Sequence, residues 1–215
     1  MSLAWMRRTC HASEKMWGEC PIDGPPLWRS PWRRGRGSRS GEPLLQPTSG
    51  LRSAAAWTEL YTQNVGPMVR RIHRLVPAMK GLKWGRVIQI ASAAAPEPGP
   101  EMPAYSSTKA ANVNMTVSLA KALAGTGVTA NTVSPGPVVT AGFQDVFTKV
   151  AAAQGLPTDW PAVERMALGI SPVPVGRLGL PDDIAHAVTY LASPRADFIN
   201  GANLRVDGDA VKSGN

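Results

Sequence analysis

Tyr105 and Lys109, in Tyr105-Ser-Ser-Thr-Lys109, stand four residues apart, a spacing that puts both side chains on one helix face. An ammonium beside a phenol favours the phenolate. It pulls a tyrosine below its ordinary pKa of about 10 and makes it a proton donor and acceptor near neutral pH. A solvated helical pair has the same spacing, so the neighbours of this pair decide its meaning. Ser92, thirteen residues upstream, closes the run Arg86-Val-Ile-Gln-Ile-Ala-Ser92. A small hydroxyl at the carboxyl end of a parallel strand sits where open α/β sheets bind ligands. Downstream, Ser134-Pro-Gly-Pro-Val-Val-Thr140 follows a second apolar run. Its Pro-Gly-Pro turn is expected to leave backbone N–H groups free just past a strand end, where a lone Pro-Gly would mark an ordinary turn.

These residues need elements to hold them. Gly85 and the β-branched run after it predict a buried strand ending at Ser92. Leu60, Val65, Met68, Ile72 and Leu75 recur at helical spacing, which predicts a helix carrying Asn64 and stopping at Pro77. Tyr105 to about Leu123 reads as a long alanine-rich helix closed near Gly125 or Gly127. A strand over 128–133 follows, then an insertion of short helices over 141–175 carrying Phe143, Phe147, Trp160 and Met166. Pro181 opens a further helix with Ile184, Val188 and Leu191 on one face, and Asn203-Leu-Arg-Val206 is a last short strand. Alternating helices and strands of these lengths predict α/β units around a parallel sheet.

This ordered set resembles the short-chain dehydrogenase/reductase family over about Ala55 to Gly208, including Gly176-Arg-Leu-Gly-Leu-Pro-Asp-Asp-Ile-Ala185 and Asn200-Gly-Ala-Asn-Leu-Arg-Val-Asp-Gly208. The resemblance implies a Rossmann-like, doubly wound sheet. It also implies an oxidoreductase that moves a hydride between NAD or NADP and a carbonyl or secondary-alcohol substrate. Tyr105 would be the general acid/base, and Lys109 its partner and a hydrogen-bond donor to the nicotinamide ribose. Ser92 would hold the substrate oxygen, and Asn64 a water that links Lys109 to solvent. Alone, Ser92 and Asn64 would read as turn or capping residues; their order relative to Tyr105 reverses that. Pro135 and Gly136, with the backbone of Val138 and the hydroxyl of Thr140, match the segment that grips the nicotinamide carboxamide and a nearby phosphate. The apolar stretch after Thr140 resembles the family's substrate lid. Phe143 is the candidate substrate contact there, although it, Phe147 and Trp160 could equally pack against the core or another subunit. A homo-oligomer, dimer or tetramer, is implied through helices equivalent to 55–77 and 105–123 and through the C-terminal strand.

The pattern also breaks. The family opens with a strand and a glycine-rich turn, T-G-x-x-x-G-x-G, that lets the backbone approach the pyrophosphate at a helix N-terminus. No such turn precedes Ala55, and the family's N-N-A-G segment is missing ahead of Asn64. The expected fold class is therefore α/β with an incomplete Rossmann-like parallel sheet, its N-terminal βαβαβ half absent. The strand at 86–91 would then present an unpaired apolar edge, and NAD or NADP binding would be weakened. The alternative function is a truncated, catalytically impaired remnant acting as a binding or oligomerisation module.

Composition separates two parts, 1–50 and 51–215. The first has no helical or strand period and holds four of the seven tryptophans and both cysteines. Its Arg, Gly, Pro, Ser and Trp enrichment is what a GC-rich gene read in the wrong frame gives. A divergent or disordered tail is the alternative, and a nucleic-acid-binding arm a third reading of the basic balance. The net charge is +8, and residues 1–50 supply half of it with eight Lys/Arg against four acids. Nucleic acid is not an expected partner. Cys10, Cys20 and His11 lack a metal-site spacing, so no metal is expected. His73 and His186 have no partner motif and read as core or surface residues. No apolar run reaches membrane-spanning length and no signal-peptide core opens the chain, so a cytoplasmic protein without a membrane partner is expected.

Overall fold

Strands β1 (Gly85–Ile90), β2 (Val128–Pro135) and β3 (Asn203–Val206) lie side by side in that order, all parallel. The computed structural model describes residues 53–212. Expectations placed on residues 1–50, including the two cysteines and the frame-shift and tail readings, lie outside the described residues. Six helices connect and cover the strands: α1 (Ala54–Asn64), α2 (Gly66–Gly81), α3 (Pro103–Ala122), α4 (Ala141–Ala153), α5 (Trp160–Ile170) and α6 (Pro181–Ala192). Among the described residues, no helix is long and apolar enough to cross a membrane.

The sheet is covered on both faces, as its near-complete burial along β2 requires. On one face Val87, Val128 and Ala130 pack with Val76 and Met79 of α2 and Leu119 and Ala120 of α3. On the other, Ile88, Val133 and Val206 pack with Ile184, Val188 and Leu191 of α6. Alternate residues of each strand thus feed opposite layers, and the crossovers give the doubly wound arrangement expected from the sequence. Among the described residues, the outer edge of β1 pairs with no further strand, and Ile90 on it is 45% exposed.

Several boundaries differ from expectation: β1 ends at Ile90 rather than Ser92, and α3 begins at Pro103 rather than Tyr105. The helix over 55–77 is two helices, and the proline that interrupts it is Pro67, not Pro77. Pro67 lies in the first turn of α2, where a missing N–H is harmless, and α1 closes at Asn64 just before it. Pro77 sits inside α2, which runs on to Gly81. Its missing N–H leaves the carbonyl of His73 without a helical partner, and both residues are exposed, so water can replace the bond. β2 runs two residues past the predicted end. Pairing continues beyond β1 because Ala91 and Ala93 donate to the carbonyls of Val133 and Pro135, at 2.8 Å each. Pro135 is tolerated there because it ends the strand.

Candidate functional site

The carboxyl ends of the strands converge on the predicted residues. Ser92 lies two residues past the end of β1, level with Pro135, and Gly136 donates its N–H to the Val206 carbonyl at the end of β3 (3.1 Å). Gly136 has no substitute here, since a Cβ would lie 2.7 Å from Cα of Asp207. The expected row of free N–H groups is shorter than the sequence suggests: that of Gly136 is taken, and Pro137 has none. Val138 bridges Gly179 through its neighbours, with Gly179 donating to Pro137 O (2.9 Å) and Val139 donating to Gly179 O (2.8 Å). In such a bridge the N–H and C=O of Val138 itself point the opposite way and stay available. Thr140 caps α4, its Oγ1 accepting from the Phe143 N–H at 3.1 Å, which leaves its own proton to donate. Ser92 does the same in its turn, where its Oγ accepts from Ala94 N–H at 3.2 Å.

Tyr105 and Lys109 lie in the first two turns of α3, both partly buried. The Lys109 ammonium is 5.5 Å from the centre of the Tyr105 ring and donates to the carbonyl of Ile90 at 3.2 Å. Ile90 is two residues before Ser92, so one side chain ties the tyrosine to the end of β1. Burial pulls the Lys109 pKa below the ordinary lysine value. Asn64, the last residue of α1, donates its amide to Thr108 Oγ1 (3.0 Å), and Thr108 donates to the carbonyl of Tyr105 (2.7 Å). Asn112 in turn donates to the Asn64 carbonyl at 3.4 Å.

Thr108 and Asn112 were not among the residues singled out by motif. Their signal was available, because 105, 108, 112 and 116 fall on one helix face and polar residues there are unusual for a core-facing stripe. What the sequence does not show is that the α1–α2 break supplies their partner. Phe143 stands apart from this group. It stacks on Phe147, with ring centres 4.3 Å apart, and both pack with Trp160, Ala167, Val173 and Leu178. This packing is one of the roles left open for it. His73 and His186 are exposed, and no cluster of metal-ligating residues occurs among the described residues.

Residues 42–208 match the family model described as enoyl-(acyl carrier protein) reductase. The chain belongs to the short-chain dehydrogenase/reductase family. The uncharacterized oxidoreductase YvaG of Bacillus subtilis is 38% identical over 157 residues, covering 73% of this chain and 60% of that protein. The 3-oxoacyl-[acyl-carrier-protein] reductase FabG of Vibrio harveyi is 33% identical over 152 residues, covering 71% and 56%. Among solved structures, L-sorbose reductase from Gluconobacter frateurii, complexed with NADPH and L-sorbose, superposes with a TM-score of 0.72 at 26% identity. The match covers 84% of this chain and 65% of that one. The chain thus spans about 60% of the length of the curated relatives it matches. Every candidate residue from Asn64 to Phe143 falls inside the range matched to this short-chain dehydrogenase/reductase model.

Proposed function

We propose that the protein is an NAD(P)-dependent oxidoreductase that interconverts a carbonyl and a secondary alcohol. One observation carries this reading most of the way: Lys109 contacts both the Tyr105 ring and the last carbonyl of the strand that leads into Ser92. A solvated helical pair would have no reason to reach a strand end. The cofactor segment supports it, with Gly136 pressed against Asp207, the Val138 backbone groups free, and the Thr140 hydroxyl able to donate. Pro135, Gly136, Val138 and Thr140 would hold the nicotinamide end, and Lys109 the ribose. When bound, that group would supply or accept the hydride.

In the reductive direction Ser92 Oγ donates a hydrogen bond to the substrate carbonyl oxygen and steadies its developing charge. Tyr105 gives that oxygen its phenolic proton as the carbon accepts hydride, which yields the alcohol. Tyr105 is then reprotonated from solvent by way of Lys109 and a water held near Asn64. Oxidation runs the same transfers backwards. Phe143 of the lid stands as the candidate substrate contact, and the α1–α2 pair, α3 and the C-terminal strand as surfaces for a homo-oligomer. Exposed Tyr61, Val69 and Leu204 favour that assembly.

A spectrophotometric assay of NADPH and NADH oxidation, with L-sorbose and an acetoacetyl thioester as carbonyl probes, tests the reading. Tyr105→Phe should lower turnover by about 10³-fold, within the range general acid/base groups supply, with the melting temperature unchanged. Turnover surviving in Tyr105→Phe would sink the assignment. The outer edge of β1, unpaired among the described residues, favours a second reading, a binding or assembly module that has lost cofactor affinity. Under it, fluorescence titration with NADPH would show no saturable binding, while light scattering would still detect an oligomer.

A further inference from the structure

Asn112 is buried, 3% exposed, in the middle of an α3 face that otherwise packs on the sheet and on α1. Its placement is poor value for stability. The one hydrogen bond its Nδ2 makes, to the Asn64 carbonyl, is long at 3.4 Å, and its Oδ1 has no partner although it is shielded from solvent. An unpaired buried acceptor is destabilising, and a leucine of similar shape would fill the space without it. Sequences that keep such a local penalty tend to do so at functional sites. What the long bond does secure is the break between α1 and α2. Asn64 closes α1 two residues before α2 begins, so its carbonyl stands at the junction, and the same residue's amide holds Thr108 and, through it, the Tyr105 carbonyl.

We infer that Asn112 is a positioning residue: it fixes the α1–α2 junction, so that Asn64 holds Thr108 and the Tyr105 turn of α3 in their working geometry. This rests on the oxidoreductase reading above, and it extends the reacting group to a residue that touches neither substrate nor cofactor.

Two variants of the full chain test it. Asn112→Leu removes the donor and the orphaned acceptor together. It should leave the melting temperature unchanged or higher while kcat for NADPH-dependent carbonyl reduction falls between about tenfold and a hundredfold. KM for NADPH should stay the same, and amide hydrogen exchange should quicken in the peptide spanning residues 61–68. Asn112→Asp keeps the size but loses the donor, and an ionised carboxylate repels the Asn64 carbonyl. On protonation its O–H donates to that carbonyl, so activity should recover towards acid pH, which a purely structural role does not produce. Unchanged exchange at 61–68 together with kcat within about twofold of the parent in Asn112→Leu overturns the inference. A parent protein that oxidises NADPH with no carbonyl defeats the oxidoreductase reading instead, and the exchange measurement then still decides whether Asn112 holds the junction.

Discussion

The interior around α3 and β2 and the interior of the helical insertion after Thr140 are built from different materials. Four buried polar side chains line β2 (Thr129, Asn131, Thr132, Ser134), and Ser106, Thr108, Asn112 and Thr116 are buried on α3. Several are spent on specific partners. Asn131 donates to Ile199 O at 2.7 Å and accepts from Ala202 N–H at 3.0 Å, and Ser134 donates to Asn203 at 2.7 Å. The insertion is held instead by apolar contact, with Phe143 and Phe147 stacked and Ala167, Val173 and Leu178 beneath them. Hydrogen bonds are directional and fix atoms in place, whereas apolar packing permits sliding at modest penalty. Under the proposed function, the polar side would hold the reacting groups and the apolar side would be the part able to move over a substrate.

The sharpest way to break that contrast is Asn131→Ala. It removes the donor to one carbonyl and the acceptor for one N–H, both in a site that is 1% exposed. Leaving those groups unpaired should cost about 2–4 kcal/mol of folding free energy. Urea unfolding reads the change directly, and a loss under about 0.5 kcal/mol would show that water repairs the site and that the polar interior is not rigid.

Phe143→Ala is the matching change in the insertion. The ring is only half-buried, so its removal should cost less, about 1–2 kcal/mol, and the remaining cluster can close over the space. If the insertion covers the substrate, KM for the carbonyl probe should rise with kcat nearly constant. A fall in kcat without a change in KM would place Phe143 with the reacting groups instead.

How far these interiors could be read from sequence follows the same division. Apolar periodicity and punctuation locate α3, β1, β3 and α6, and of the two glycines expected near the close of α3, Gly125 has φ of +73° while Gly127 stands at the entry to β2. Gly127 adopts φ of +76°, and a Cβ there would lie 2.0 Å from the Lys83 carbonyl. Pro77 misled because proline is disfavoured within a helix by only a few kcal/mol, which packing of Ile72, Val76 and Met79 on the sheet offsets. The Tyr105–Lys109 pair is local and was legible. The polar stripe of Thr108 and Asn112 is visible too, but the pairings of Thr108, Asn112 and Asn131 are not, because their partners lie 44, 48 and 68 residues away and no short-range pattern encodes them. The Gly136 N–H was expected to be free for the same reason: its acceptor is on β3.

Lys109 shows the polar side trading stability for placement. Burial lowers its pKa, so the folded chain binds this proton less well than the unfolded chain. Its charged form therefore opposes folding below the depressed pKa, and the penalty fades as pH rises through that value. Lys109→Met should raise the melting temperature at neutral pH, with the gain shrinking towards the ordinary lysine pKa of about 10.4. An equal gain at every pH would mean that packing of the methionine, not relief of a buried charge, is responsible.

The smallest expected effect lies where the insertion rejoins the sheet. Arg177 donates to both carboxylate oxygens of Asp183, at 2.7 and 2.9 Å, and the Leu180 N–H adds a third bond at 2.7 Å. The hydrogen bond from Arg177 and then that from Leu180 hold the Asp183 carboxyl well below the usual carboxylate range. A carboxyl depressed in the fold contributes stability that is present above its unfolded pKa of about 3.9 and is lost as pH falls through the folded value. The pair is solvent-exposed, so screening keeps the contribution small. Arg177→Leu should lower the melting temperature slightly at pH 7 and should converge with the parent in strong acid, where Asp183 is protonated in both. High salt should narrow the gap at pH 7. A gap that persists in strong acid and in salt would show that Arg177 anchors the insertion by packing its aliphatic stem rather than through its charge.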